Sequence, residues 1–503
     1  MSSGKSATER EVKLGARSDF RLPDLDRVFE GVTSAPLAER DLDAVYYDTD
    51  DLRLARWGVT VRHRTGEGTA WTVKLPEGEE GPALVRREVS WDGPPDAVPA
   101  EALDLVRAYA RRSSLAPVAH IHTMRTGVVL SDVEGLLVAE VVDDEVSVLH
   151  DGEVVARFRE VEVEVADRAP PGLLDAVVAC LRHAGAGKPD STPKLMRALG
   201  ARALEPAELT SVDLDDHPSA ADVVRSAMVG SVTRILRHDA GVRIGDDPED
   251  VHQARVGTRR LRSDLRTFAP VLVDEWVVAL RSELKWLSEE LGGVRDADVL
   301  AERLRHQADA LPERDSAGLA PLFRRLAKER EAAGARLLEA MASERYLDLL
   351  DRLVAGARSP ALRPEADEPA DQVVVDLMVR PWRHLKKAVG ELGPEPSDDE
   401  LHQVRIRTKR TRYPAEAAGA AVGGGTRKFT KALARLQQVL GDHQDAVVAE
   451  EWLRVAAGEA GAAEALAAGE LIAVQRAEEA ACRDAWPAAW KKVVKKKRRS
   501  GLG

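Results

Sequence analysis

Two patterns of polar and apolar positions divide the chain. Up to about residue 165 they alternate over short runs: "EREVKLGA", "AVYYDT", "GVTVRHRTG", "AWTVKLP", "VRREVSW", "RTGVVLSD", "LLVAEVVDDEVSVL" and "RFREVEVEVAD". Strand side chains alternate between two faces, so each run predicts a strand with one polar and one apolar face. "TGEGT", "PEGEEGP", "DGPP" and "HDGE" supply turn residues between them. Many short strands at even spacing predict an antiparallel barrel or sandwich. Helical stretches are expected near 23–30, 99–112 and 171–184.

Around 205–220 the pattern changes. "EPAELTSVDLDDHPS" is polar and proline-containing, as a linker would be. From 220 to 500 apolar residues recur with helical spacing, as in "AADVVRSAMVGSVTRILRHDAGVRI". "SPALRPEADEPAD", residues 359–371, interrupts this half like a linker between bundles.

The helical half repeats itself. "VHQARVGTRRLRSDLR" from 251 is echoed by "LHQVRIRTKRTRYPAE" from 401, with His252 and His402 150 residues apart. "LGGVRDADVLAERLR" from 291 is echoed by "LGDHQDAVVAEEWLR" from 440. Two motifs recurring in one order at nearly one offset indicate an internal duplication.

The chain has 503 residues and a net charge of −12, which argues against a general nucleic-acid-coating protein. The positive charge is instead concentrated. His252, Arg255, Arg259, Arg262 and Arg266 fall on one helical face, as do His402, Arg405, Lys409 and Arg412. Like charges at this spacing repel by a few tenths of a kcal/mol per pair. Two such stripes almost free of acids point to a polyanion site; aromatic residues that would stack bases are not interleaved with them. Asp296, Asp298, Asp442 and Asp445 are placed to orient the arginines or to cap helices. The basic end "WKKVVKKKRRS" is open to two readings, added polyanion affinity or a disordered tail.

These repeated helices, with their "LGxxxDA" segments, resemble the CHAD domain. The resemblance covers roughly 218–495. It implies two pseudo-symmetric four-helix units enclosing a basic pore for inorganic polyphosphate. Pro414 departs from the pattern and is expected to kink or end its helix. Gly257 stands where Arg407 does, so uneven binding between the halves is expected.

The strands carry a second kind of charge pattern. Glu9, Glu11 and Lys13 share one face, as do Glu160, Glu162 and Glu164. Carboxylates this close are costly unless a cation lies between them. Arg62 and Arg64, Lys74, Arg86 and Arg87 with Glu88, Arg125, Lys194 and Arg197 supply bases. Hard carboxylates suit Mg²⁺ or Mn²⁺, and Arg and Lys clamp phosphate oxygens. Such a barrel is equipped for a metal–polyphosphate chain. His63, between two inward arginines, is expected to point outward.

"EREVK", "YYDTDDLRL", "VTVRHR", "WTVKLP", "REV", "VVDD" and "REVEVEV" together resemble the CYTH superfamily, the triphosphate tunnel metalloenzymes, over roughly 8–202. The joint resemblance implies an α+β N-terminal antiparallel β-barrel (tunnel) domain, residues 5–204. An all-α domain of two duplicated four-helix units, residues 218–495, follows it. It implies a metal-dependent triphosphatase with Mg²⁺ or Mn²⁺ as cofactor. Glu9, Glu11, Glu162 and Glu164 would be metal-side acids, with Asp143 or Asp144 added, Asp143 being the one assigned. Lys13, Arg62, Arg64, Lys74, Arg87, Arg125 and Lys194 would bind phosphate. Glu9, Glu11, Lys13 and Lys74 would form the catalytic group. Inorganic triphosphate, polyphosphate and polyphosphate granules are the expected partners, without a membrane. The alternatives are a non-catalytic polyphosphate-binding or granule-associated protein, an adenylate cyclase, or a thiamine triphosphatase. Two distant cysteines, Cys180 and Cys482, no apolar membrane-length run and no apolar leader predict a cytoplasmic location.

Overall fold

The computed structural model describes residues 5–80, 83–95, 97–312, 318–422, 426–458 and 461–498. The chain divides into two compact units, Met1–Glu208 and Leu209–Gly503.

In the first unit the alternating runs form β1 (Lys5–Ala16), β2 (Thr33–Asp48), β3 (Thr60–Thr65) and β4 (Trp71–Glu80). Then follow β5 (Ala83–Trp91), β6 (Ala116–Ser131), β7 (Leu137–His150) and β8 (Glu153–Val165). They close into an antiparallel barrel in the order β1-β5-β4-β3-β2-β6-β7-β8. Closure pairs every strand on both sides and removes the exposed edges. Short helices lie between and after the strands: α1 (Arg53–Arg56), α2 (Ala100–Leu105), α3 (Arg107–Ala110), α4 (Leu173–His183) and α5 (Lys194–Leu199).

The barrel is polar inside and apolar outside. Val12, Leu14, Val141, Val161 and Val163 face outward and bury against Leu173, Val177 and Leu181 of α4 and against Phe20, Leu25 and Val32. Segment 23–30, expected to be helical, is a series of turns that covers this face. Its apolar residues at 25, 28 and 29 have helical spacing, but Arg27 takes φ 57°, which no helix tolerates. At one end the interior is apolar too. Ala44, Tyr46, Ile121 and Val146 pack there with Leu195 of α5. The "YYDTDDLRL" segment is explained by Asp48, whose carboxylate accepts from the amides of Thr49, Leu54 and Ala55 and so fixes the turn into α1.

The second unit contains nine α-helices among its described residues. They are α6 (Ala220–Ile244), α7 (Pro248–Thr267), α8 (Asp274–Ala308), α9 (Leu319–Ala342), α10 (Glu344–Arg358), α11 (Ala370–Gly390), α12 (Asp398–Val422), α13 (Arg427–Gly458) and α14 (Ala462–Lys497). α6–α9 and α11–α14 are the two copies, each packed in sequence order; α10 is additional and lies against α6, α8 and α9. Ser219 caps α6 with a reciprocal bond to Asp222, and Asp247 followed by Pro248 opens α7. The 359–371 segment is held by bridges Leu272–Leu362 and Ser219–Pro369.

Of the two outcomes expected of Pro414, a kink or an end, the end does not occur: α12 continues to Val422. Proline forfeits one amide bond, while Thr411 and Ala415 beside it are fully buried, so packing holds the helix through it. The basic terminus is helical through Lys497, with Val493 and Lys497 buried; the last five residues lie outside the described set.

Candidate functional site

The interior positions of the barrel line a cavity of roughly 200 Å³. β1 contributes Glu9, Glu11 and Lys13; β3 contributes Arg62 and Arg64; β4 contributes Lys74. β5 adds Arg86 and Glu88, β6 Arg125, β7 Glu140, and β8 Glu162 and Glu164. Lys194, the first residue of α5, enters at the apolar end.

Strand register sets the charge pattern. Glu11 is paired with Glu164, and Glu164 with Glu140, which makes a row of three acids across three strands. The next row opposes Lys13 to Glu162. Lys13 Nζ lies 2.5 Å from Glu162 and 3.1 Å from Glu11. Lys74 Nζ lies 2.5 Å from Glu9 and 3.0 Å from Glu88. At the inner end Arg125 holds Asp144 through two bonds of 2.8 and 2.7 Å and reaches Glu162 at 3.1 Å. Lys194 reaches Asp144 at 2.5 Å and both Glu160 and Glu162 at 3.1 Å.

Several of these groups keep unused hydrogen-bonding capacity. Glu11 Oε1 is buried and accepts no hydrogen bond; Arg62 Nε, Arg64 Nε and Arg86 Nε are buried and donate none. Donors and acceptors share one cavity without satisfying each other, which is costly unless a ligand completes them. Ionisation follows the same division. The neighbouring Arg62 cation, then burial, push Arg64 down to about 9. Enclosure by the wall, then the Glu9 carboxylate, raise Glu164 to about 7. Glu164 keeps solvent contact at the open mouth, so crowding by Glu9, Glu11 and Glu162 is the cause that persists in water. Burial opposes the charge on Lys13 and Lys194, but their surrounding carboxylates win and raise both.

Two assignments made from the sequence are corrected by the geometry. Arg87 lies on the outer face and donates to Glu77 at 2.5 Å; its neighbour Arg86 is the inward residue. Val85 and Val89 share the parity of Arg87 and are buried in the outer apolar layer, which is the signal that separates the two arginines. Asp143 also faces outward, where Arg159 grips it through two bonds of 2.8 Å. Asp144 is the inward acid. His63 lies outside the tunnel, its ring 5.1 Å from that of Trp71. Glu9, Glu11, Lys13, Arg62, Arg64, Lys74, Arg125, Glu162, Glu164 and Lys194 all meet in the cavity. Sequence reasoning missed Tyr46, Glu67 and Glu140. Glu67 leaves the β3–β4 turn to pair with Arg40 and with Arg64 at 3.4 Å.

A divalent cation fits the donor chemistry of Glu9, Glu11 and Glu164, hard carboxylate oxygens that line one cavity. Among the described residues no three acids or imidazoles already converge on a single point. Lys74 and Lys13 lie between the carboxylates instead.

In the helical unit, Arg255, Arg259, Arg405 and Lys409 come together from α7 and α12. Burial, then Arg259, Arg405 and Arg255, push Lys409 down to about 7. Asp296 accepts from Arg255 at 2.8 Å, and Asp298 from Arg330 at 3.1 Å. Both lie within α8, so they are partners of arginines and not helix caps. Gly292 and Gly441 explain the "LG" of the repeated motif. A methyl there would touch Arg255 at 3.8 Å and Arg405 at 3.6 Å, so the guanidinium groups lie across the two glycines. Arg262 and Arg266 lie further along α7, near Arg281 and Arg410. The remaining candidates are engaged elsewhere: His402 bonds Gln444 at 2.5 Å and Arg412 pairs with Glu416 at 2.9 Å. His252 lines a cavity with Arg259 and Arg412.

The comparisons agree with this geometry. The chain matches the CYTH domain family over residues 7–194 and the CHAD domain family over 227–454. Rv2226 and MT2285, both named as uncharacterized proteins, of Mycobacterium tuberculosis strains H37Rv and CDC 1551, are each 35% identical to it, with 98% of both chains covered. Among solved structures, PptA from Streptomyces chartreusis is 29% identical, covering 54% of this chain and 99% of that one, with a TM-score of 0.46. The CHAD domain from Ricinus communis is 33% identical, covering 57% and 96%, with a TM-score of 0.47. The chain is thus a CYTH–CHAD protein, a tunnel barrel followed by a duplicated helical domain. CYTH proteins are triphosphatases or cyclases, generally dependent on divalent metal, and CHAD domains are linked to polyphosphate. No described helix is long and apolar enough to cross a membrane.

Proposed function

We propose that the protein is a Mg²⁺- or Mn²⁺-dependent triphosphatase acting on inorganic triphosphate or a related triphosphate compound, and that its helical unit binds inorganic polyphosphate. One observation carries this reading: buried donors on Arg62, Arg64 and Arg86 and a buried acceptor on Glu11 lie unsatisfied in one cavity. A single anion would complete only the arginines, and a single cation only the acids. A triphosphate carrying a divalent ion completes both.

Glu9, Glu11 and Glu164 would hold the ion. Bound there, it would neutralise phosphoryl oxygens and acidify a water molecule. Arg62, Arg64, Arg86 and Arg125 hold the phosphate oxygens through charge-assisted bonds. Lys13 and Lys194, anchored by Glu162, Glu160 and Asp144, keep fixed positive charge at the inner end. Water attacks the terminal phosphorus, the bond to the bridging oxygen breaks, and orthophosphate and diphosphate leave. Positioning and charge neutralisation supply most of the rate.

The lysine contacts on Glu9 and Glu162 favour a second reading, a non-catalytic anion receptor. Phosphate release from triphosphate, thiamine triphosphate, ATP and long polyphosphate, each with Mg²⁺ and Mn²⁺, separates the two. Turnover of a triphosphate only with metal supports the enzyme. Binding of all four without any release supports the receptor.

A further inference from the structure

The duplication gives each half of the helical unit an equivalent position for every residue of α7 and α12. At an offset of 150, Gly257 corresponds to Arg407, Arg260 to Arg410, Asp264 to Pro414, and Arg266 to Glu416. On one side the charges are balanced. Arg260 bonds Asp264 at 3.1 Å and pairs with Glu416 across the two helices. Arg234 there donates to Gln253 at 2.7 Å.

On the equivalent side three of these exchanges add positive charge or remove negative charge, Arg407 for Gly257, Pro414 for Asp264 and Arg266 for Glu416, while Arg410 matches Arg260 and His384 stands for Arg234. Arg410 has Pro414 in place of an acid. It faces Arg266 where its counterpart Arg260 faces Glu416. Arg407 replaces a glycine at which, in its own half, an added Cβ would lie 3.0 Å from both Ile235 and the Ser231 carbonyl. The result is a cavity of about 680 Å³ lined by Arg266, Arg380, His384, Lys387, Arg407 and Arg410. Its acidic lining residue, Glu391, pairs with Lys387 at 3.6 Å. Among the described residues the four arginines have no acidic partner. A folding requirement explains an ion pair; it does not explain replacing that pair by two arginines that repel.

We propose that this cavity is a dedicated site for a terminal phosphate, the more highly charged end of a polyphosphate chain. The chain's interior would follow the ridge formed by Arg255, Arg259, Arg405 and Lys409. Arg266 stands two turns beyond Arg259 on the same face, roughly 10 Å along the axis, a span of a few phosphates. An internal phosphate carries one negative charge, whereas a terminal one gains a second near neutral pH, as a phosphate monoester does with pKa about 6. Its three free oxygens also match the planar forks of several arginines at once. The burial of Arg266 and its neighbours Arg410 and Arg281 hold it down to about 10, so an arriving dianion relieves an existing repulsion.

This inference rests on polyphosphate binding by the helical unit, and the test separates the two. Affinity of the full-length protein is measured for long-chain polyphosphate with free ends and for the same chains with their terminal phosphates converted to phosphoramidates. The wild type is expected to bind free-ended chains about tenfold more tightly. The double variant Arg266→Gln, Arg410→Gln should bind both at the capped-chain affinity, with circular dichroism confirming retained helix. Arg260→Gln, on the balanced side, should keep the preference. Equal affinity of the wild type for both chains would overturn the end site and leave polyphosphate binding standing. Loss of all binding by the double variant would place these arginines on the ridge and also overturn it. If the wild type bound neither chain, polyphosphate binding itself would fall.

Discussion

Glu11 on β1 stands directly opposite Glu164 on β8, and no lysine or arginine occupies the rung between them. A sheet that only needed to fold would avoid this pair, since like charges facing one another are destabilising. The barrel accommodates it by placing its packing core on the outside, against α4, and leaving the inside for charge.

The division of labour has a direct consequence for stability. Leu181→Ala, which opens a gap between α4 and the barrel, should cost about 2–5 kcal/mol in urea unfolding of the barrel unit. Glu164→Gln should cost nothing.

The pH dependence of metal-free protein follows from the same pair. The folded-state pKa of Glu164, about 7, exceeds the unfolded value of 4.5. Its contribution to stability is therefore complete below about 4.5 and lost as pH rises through about 7. Thermal unfolding at pH 8 should show Glu164→Gln melting above the wild type. Divalent metal should raise the wild-type melting point more than that of the variant.

Substitution of the two adjacent arginines of β5 should separate the faces of the strand. Arg86→Gln, inside the cavity, should raise KM for triphosphate about tenfold, the value of one charge-assisted contact. Arg87→Gln, outside, should leave kinetics within about twofold. Steady-state phosphate release measures both.

The two halves of the chain were legible to different depths. Alternation located all eight strands, because a barrel with opposite inner and outer chemistry imposes period two on every strand. The duplicated basic helices were equally visible, since their charge repeats at helical spacing. Asp143 and Asp144 could not be separated, because β7 is buried on both faces and its valines fall on both parities. Segment 23–30 misled because its apolar spacing serves turns that cover the barrel. Tyr46 and Glu67 were invisible for another reason: they reach the cavity from an apolar plug and a turn, whose positions only the closed barrel defines.

Polyphosphate binding should depend on pH through Lys409. Burial and the facing Arg259, Arg405 and Arg255 hold it at about 7, against the opposing charge of Asp445. A lysine lowered in this way is charged below about 7 and neutral above it. Bound phosphate restores the charge, so binding should take up a proton at pH 7.5–8.5. At constant ionic strength, affinity should fall roughly tenfold from pH 6 to pH 8.5. Lys409→Arg should flatten the profile. Calorimetry in buffers of different ionisation enthalpy measures the proton uptake.

One cavity holds a carboxylate oxygen of Glu11 and guanidinium nitrogens of Arg62, Arg64 and Arg86 that its own groups leave unsatisfied, and one ligand completes both. The most direct measurement is equilibrium binding of an imido-bridged, non-hydrolysable triphosphate at several fixed concentrations of free Mn²⁺. Each ligand should tighten the other by tenfold or more, since coupling between sites is reciprocal, and Glu9→Gln with Glu11→Gln should abolish the coupling. Triphosphate affinity that stayed constant across the whole range of Mn²⁺ would contradict the account.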